Sequence, residues 1–123
     1  MRKILTLPFF LLTANLCIAA TLSFECKFNL EATSSGLNKQ SPLFELRFIS
    51  DDEKKSAYLM GNNGSAEVKA IQNAGGISFV EITTSGNVMV TTIAKSGEAV
   101  HSRNAVMQSQ LVSSQYYGKC VAK

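Results

Sequence analysis

A chain of 123 residues with 46% hydrophobic residues and no tryptophan has room for one domain with a single core, and too little length for two ordinary ones. Its 12 Lys and Arg against 9 Asp and Glu exclude a strongly basic or acidic protein, and the lysines are scattered among Glu and Asp without forming a run. A nucleic-acid partner or an anionic membrane surface, which would need a basic patch, is therefore not expected.

Arg2 and Lys3 precede an apolar stretch from Ile4 to Ile18 and the small residues Ala19 and Ala20, the order found in a secretory signal peptide. Thr6, Pro8, Thr13 and Asn15 interrupt that stretch, which falls short of the roughly 20 apolar residues of a membrane span. Residues 1–20 are thus expected to be cleaved after Ala20, leaving a mature protein without a transmembrane segment, periplasmic or secreted. Cys17 offers a lipid-acylation alternative, but Leu16 stands before it where such sites want a small residue. Without Arg2 and Lys3 the mature domain, residues 21–123, is close to neutral.

Cys17 leaves with the leader, so Cys26 and Cys120 remain as a pair, and a cysteine pair in an exported domain reads as a disulfide. A bridge closing nearly the whole domain is worth as much as about 4.7 kcal/mol in the chain-entropy model. From Leu22 to Ala32 the chain alternates, with Leu22, Phe24, Cys26, Phe28, Leu30 and Ala32 on one side and polar residues on the other. This is a strand with its disulfide on the core side, bound to staple the last strand to the first. Thr33 to Pro42 reads as a polar loop, after which Phe44, Leu46 and Phe48 alternate with Glu45 and Arg47 in a second strand.

Shorter strands follow over Ala57–Met60, Ala66–Gln72, Ile77–Thr83, Val88–Ile93, Ala99–Val106 and Leu111–Cys120, separated by turns at Gly61–Gly64, Asn73–Gly76, Thr84–Asn87 and Lys95–Gly97. Eight strands with little or no helix predict an all-β fold, an antiparallel meander curled into a small barrel or sandwich. Val80 and Ile82 oppose Ile77 and Phe79, and Val88 and Val90 oppose Met89 and Ile93, so the outer side of these strands is not uniformly polar. Either it is covered or it is an exposed apolar patch that marks a binding surface.

Catalytic residues are scarce. His101 is the one histidine, and strand period sends it to the same face as Arg103 and away from Ser102 and Asn104, so the adjacent serine is no nucleophile partner. One histidine and a bridged cysteine pair do not make a zinc set. Asp51, Asp52 and Glu53 lack the ligand spacing of a calcium loop and read as a solvated turn. The Gly61–Gly64 stretch lacks the ending of a phosphate loop. No cofactor is expected. Glu81 shares its face with Ile77 and Phe79, and a carboxylate in that setting wants a cation, for which His101 or Arg103 is available.

The tail from Val100 through His101, Ser102 and Arg103 to the ending Ser114-Gln-Tyr-Tyr-Gly-Lys-Cys120 resembles that of small exported bacterial proteins of uncharacterised function, in which a VHSR-like stretch precedes an SQYYG-C ending. That resemblance implies export and brings no activity with it. The terminal cysteine pair on a compact exported β domain also resembles the periplasmic inhibitors of C-type lysozyme, small barrels closed by such a bridge. The chain departs from them in having no serine-and-glycine loop followed by a tyrosine.

The expected function is that of a non-enzymatic exported binding module whose partner, a protein or a small apolar ligand, the sequence leaves open, with His101, Arg103, Tyr116 and Tyr117 as its contact surface. Tyr116 shares a strand face with Cys120 and has a core position as its alternative. A barrel carrying a small apolar ligand among Phe24, Phe28, Phe44, Phe48 and Phe79, or a lysozyme-inhibitor-like protein, are the alternatives.

Overall fold

The computed structural model describes residues 21–61 and 64–123, so the expected signal peptide, its cleavage point after Ala20 and Cys17 lie outside the described residues. Eight strands follow in order: β1 (Thr21–Thr33), β2 (Gly36–Asp51), β3 (Ser56–Gly61), β4 (Gly64–Asn73), β5 (Gly76–Ile82), β6 (Val88–Ala94), β7 (Glu98–Met107) and β8 (Gln110–Ala122). Each pairs antiparallel with the next and β8 pairs with β1, so the meander closes on itself as a barrel, which decides against a sandwich.

Period two drives the closure. Inward positions hold Phe28, Phe48 and Phe79, all at most 1% exposed, and each such burial is worth about 1.5–3 kcal/mol. Phe48 stacks on Phe79 with ring centroids 4.4 Å apart, Phe24 meets Phe79 edge-on at 6.1 Å, and Phe44 lies 4.7 Å from Tyr116. These rings fill the barrel against one another. Of the phenylalanines expected to line a ligand chamber, Phe28, Phe48 and Phe79 belong to the buried core, and Phe24 and Phe44 pack against it, partly buried.

At the β1–β8 seam, Cys26 lies directly opposite Cys120 and is bridged to it, with Cα atoms 4.0 Å apart and a sequence separation of 94. Both side chains are buried, as the alternation of β1 predicts. The next inward-facing pair along is Phe28 and Gly118, where the two backbones crowd: a Cβ on Gly118 would run into the Lys27 carbonyl oxygen and the Phe28 Cα. Glycine is the residue that lets the seam close at this point. Beyond the bridge, the Lys123 N–H donates to the Ser23 carbonyl at 2.8 Å.

Two sequence expectations need correction. The stretch from Thr33 to Pro42 is not a loop: after a two-residue turn at Ser34 and Ser35, β2 begins at Gly36, whose φ of 128° suits glycine, and Leu37, Asn38 and Lys39 pair with Ala32, Glu31 and Leu30. Pro42 is accommodated because the register breaks there. Phe44 pairs with Phe28 and Lys39 with Leu30, so residues 40–43 stand opposite Asn29 alone, and the missing N–H of Pro42 breaks no ladder bond.

The same irregularity ends the alternation of β1. Beyond it Leu30 pairs with Tyr117 and Glu31 with Tyr116, so Glu31 joins the inward side, half-buried, while Leu30 and Ala32 turn outward. Glu31 accepts a hydrogen bond from Gln40 at 3.3 Å.

Candidate functional site

Three inward residues on neighbouring strands form one row across the wall: Thr91 on β6, His101 on β7 and Tyr116 on β8. His101 is 2% exposed, and its Nδ1 is hydrogen-bonded to the Thr91 hydroxyl at 2.6 Å. Its ring packs among Phe44, Phe28 and Tyr116 with centroids 5.6, 6.0 and 6.0 Å away. Burial pushes the imidazole pKa down to about 4, helped by the positive charge of Arg103, so the ring is neutral at pH 7.

The four residues expected to form one contact surface therefore part company. His101 and Tyr116 are core, Tyr116 taking the alternative its shared face with Cys120 allowed. Arg103 lies one strand period further along β7, half-buried at an end of the barrel. Tyr117 alone is outside, 41% exposed, its hydroxyl donating to Gln115 Oε1 at 2.7 Å. The physical reason is parity: the barrel turns the His101 and Arg103 face inward. Thr91 was missed as the partner of His101, and the signal was the short Lys95–Gly97 turn, which brings the two opposite.

Beside His101 the barrel opens into a recess of about 320 Å³ near the β3–β4 turn, walled by Phe44, Leu46 and Leu59 and carrying Glu81, Met89 and Arg103. Glu81, Met89 and Arg103 face inward in one row across β5, β6 and β7. Glu81 thus sits on the apolar-lined side, as its spacing from Ile77 and Phe79 predicts, and the topology brings both His101 and Arg103 to it. Among the described residues the ion pairs within 4.0 Å are Arg47–Glu25 at 2.8 Å and Lys123–Glu25 at 3.3 Å; Glu81 and Arg103 do not close one. No group of three or more His, Cys, Asp or Glu able to hold a metal occurs among the described residues.

The outer wall divides by charge. On β1 to β4 it carries Glu25, Lys27, Glu45, Arg47, Glu67 and Lys69, which face out opposite the buried positions. On β5 to β8 the outward positions run through Val80, Ile82, Val88, Val90, Val100 and Val106 to Leu111 with Ser, Thr, Asn and Gln between them, and charge returns only at Glu98 and Lys119. Ile82 is 70% exposed and Leu111 74%. The suspected apolar patch on the central strands is therefore exposed.

The β7–β8 hairpin also outruns its neighbours. Pairing of β6 with β7 ends at Asn104 and pairing of β1 with β8 at Gln115, so residues 105–114 form a two-stranded arm with exposed Val106, Met107, Leu111 and Val112. Its turn residues Gln108 and Ser109 have φ of 51° and 64°, the left-handed pair of a tight hairpin, and Asn87 Oδ1 accepts the Val106 N–H at 2.9 Å. Further along the same wall, Leu43, Thr92, Val100 and Tyr117 line a shallow groove of about 680 Å³, flanked by Lys27 and Lys119.

No protein-family model, no curated protein and no solved structure matches the chain.

Proposed function

We propose that the chain is a non-enzymatic binding module of the periplasm or the secreted fraction, which docks a partner protein on the uncharged outer wall of β5 to β8 and its β7–β8 arm. The observation that carries this reading is the distribution of charge on the outer surface: the outward positions of β5 to β8 are apolar or uncharged polar residues, Val, Ile, Leu, Ser, Thr, Asn and Gln among them, with charge only at Glu98 and Lys119, whereas charged residues are spread over β1, β2 and β4. Leu37, Leu43, Tyr58 and Ile71 are exposed on β2 to β4 as well, but there they stand among charged side chains, and it is exposed apolar surface depleted of charge that has the composition of an interface core. The arm adds backbone: β8 from Gln110 to Ser114 pairs with β7 on one side only, leaving N–H and C=O groups to receive a partner strand. The buried disulfide fits an oxidising compartment. The apolar interior and the charged outer face of β1 to β4 are the reverse of a transmembrane barrel, whose outer band is apolar all round.

The test is capture from envelope extract with three tagged forms of the exported protein: wild type, Ile82→Glu/Leu111→Glu on the uncharged wall, and Lys69→Glu on the charged one. Both variant sites are exposed, so each protein is expected to keep its β-rich circular dichroism. A partner held by wild type and by Lys69→Glu but lost from Ile82→Glu/Leu111→Glu is the expected result. Equal recovery by all three would discard the wall as the contact surface.

A further inference from the structure

The recess at the His101 end holds an arrangement that the outer wall does not use. Arg103 and Glu81 carry opposite charges into the same half-enclosed space, on strands separated only by β6, with Met89 between them. Strands lie about 4.8 Å apart, so the two backbones stand roughly 10 Å from each other, near enough for these long side chains to meet. They do not come within 4.0 Å among the described residues. Both side chains are half-buried and neither forms an ion pair within 4.0 Å among the described residues, so each is open to a ligand group of opposite charge.

The rest of the lining selects what such a ligand can be. Phe44, Leu46 and Leu59 face the charged row and offer an apolar wall. The His101 ring closes the inner end and is held by Thr91, and because it is neutral it adds no second cation to that of Arg103. About 320 Å³ lies at the small end of ligand sites, too little for a lipid and enough for a molecule of amino-acid size. A simple anion at Arg103 would face the Glu81 carboxylate, and a simple cation at Glu81 would face the Arg103 guanidinium. One molecule carrying both charges satisfies both groups.

We propose that the recess binds a free amino acid with an apolar side chain, of the leucine or methionine kind, its carboxylate on Arg103, its ammonium on Glu81 and its side chain against Phe44, Leu46 and Leu59. Arg103 supplies the planar fork that receives a carboxylate in two parallel hydrogen bonds. Glu81 sets the preference for a zwitterion over the corresponding acid.

The experiment is isothermal titration of the exported wild-type protein with leucine, with 4-methylpentanoate, which lacks the ammonium, and with 3-methylbutylamine, which lacks the carboxylate. Leucine is expected to bind at least roughly tenfold more tightly than either, the size of one charged hydrogen bond removed. Arg103→Gln and Glu81→Gln are each expected to weaken leucine by a similar factor. The ligand comparison needs only wild-type protein, so it decides the matter even where a variant does not fold. Absence of leucine and methionine binding at millimolar concentration, acid or amine binding as tightly as leucine, or leucine binding untouched in both folded variants would each overturn the proposal. The Ile82→Glu/Leu111→Glu protein is expected to bind leucine normally, which separates failure of this site from failure of the outer wall.

Discussion

His101 is the residue at which burial, charge and stability meet. An imidazole in the unfolded chain has a pKa near 6.5, whereas the folded ring, desolvated and beside Arg103, is pushed down to about 4. Above pH 6.5 both states are neutral at this position and it contributes no pH dependence. Below it the unfolded chain binds a proton that the folded state refuses, so stability falls with pH and levels off only below about 4, by which point the loss reaches about 3 kcal/mol. Glu25 acts in the same direction from the outside. The hydrogen bond from Arg47, then the hydrogen bond and charge of Lys123, hold its carboxyl below the usual range, and that contribution also fades as acid protonates it. The two are separable by substitution: His101→Gln, which can keep a bond to Thr91, is expected to cost about 1–3 kcal/mol at pH 7 and to flatten the slope between pH 6.5 and 4. Urea unfolding at pH 7, 6, 5 and 4 measures both, and a slope as steep in the variant as in wild type would place the acid sensitivity elsewhere.

Among the elements, β1 and β8 form the one pairing that joins distant parts of the chain, and the Cys26–Cys120 bridge spans it directly. Replacing both cysteines by alanine is expected to leave the strands in place and to lower stability by about 2–5 kcal/mol, read as a fall in the urea midpoint with the far-ultraviolet spectrum unchanged. A midpoint that does not move would mean that the crowded Phe28 and Gly118 pair and its neighbours hold the seam unaided. The bridge was legible because Cys26 falls in the apolar set of an alternating strand, which fixes its side, and because Cys120 is the one cysteine left to pair with it once Cys17 is assigned to the leader. Strands from Ala57 onward were legible for the same reason, since one buried face forces period two. The start of β2 was not: Gly36, Leu37, Asn38 and Lys39 pair with the far end of β1, where little is buried and composition follows solvent. At the site, the shared face of His101 and Arg103 was legible from spacing alone, but its direction was not. Polar residues on both sides of the Val100–Asn104 segment conceal which is inside, and only the hydroxyl of Thr91, fixed by register across a turn, makes the inward choice affordable for an imidazole.

At the scale of the whole molecule, a closed meander is a ring in which every strand has two neighbours, so the position of the chain break is not dictated by the core. The end of β8 runs beside the start of β1, with Phe24 opposite Ala122 and the Lys123 N–H on the Ser23 carbonyl, so a short linker can join them. The turn from Thr83 to Asn87 is exposed in part, held by local bonds among Thr83, Ser85 and Asn87, and is the natural place to open the ring. A permutant joined from Lys123 to Thr21 and opened after Ser85 is expected to form the same barrel. In that permutant β1 and β8 become neighbours in sequence, so the bridge closes a short loop in place of one with a sequence separation of 94, and its entropic effect on the unfolded chain shrinks. Removing both cysteines should then lower the urea midpoint by clearly less than in the natural chain order. An equal loss in both backgrounds would show that the bridge acts through native packing of its sulfurs in the core and not through the length of chain it closes.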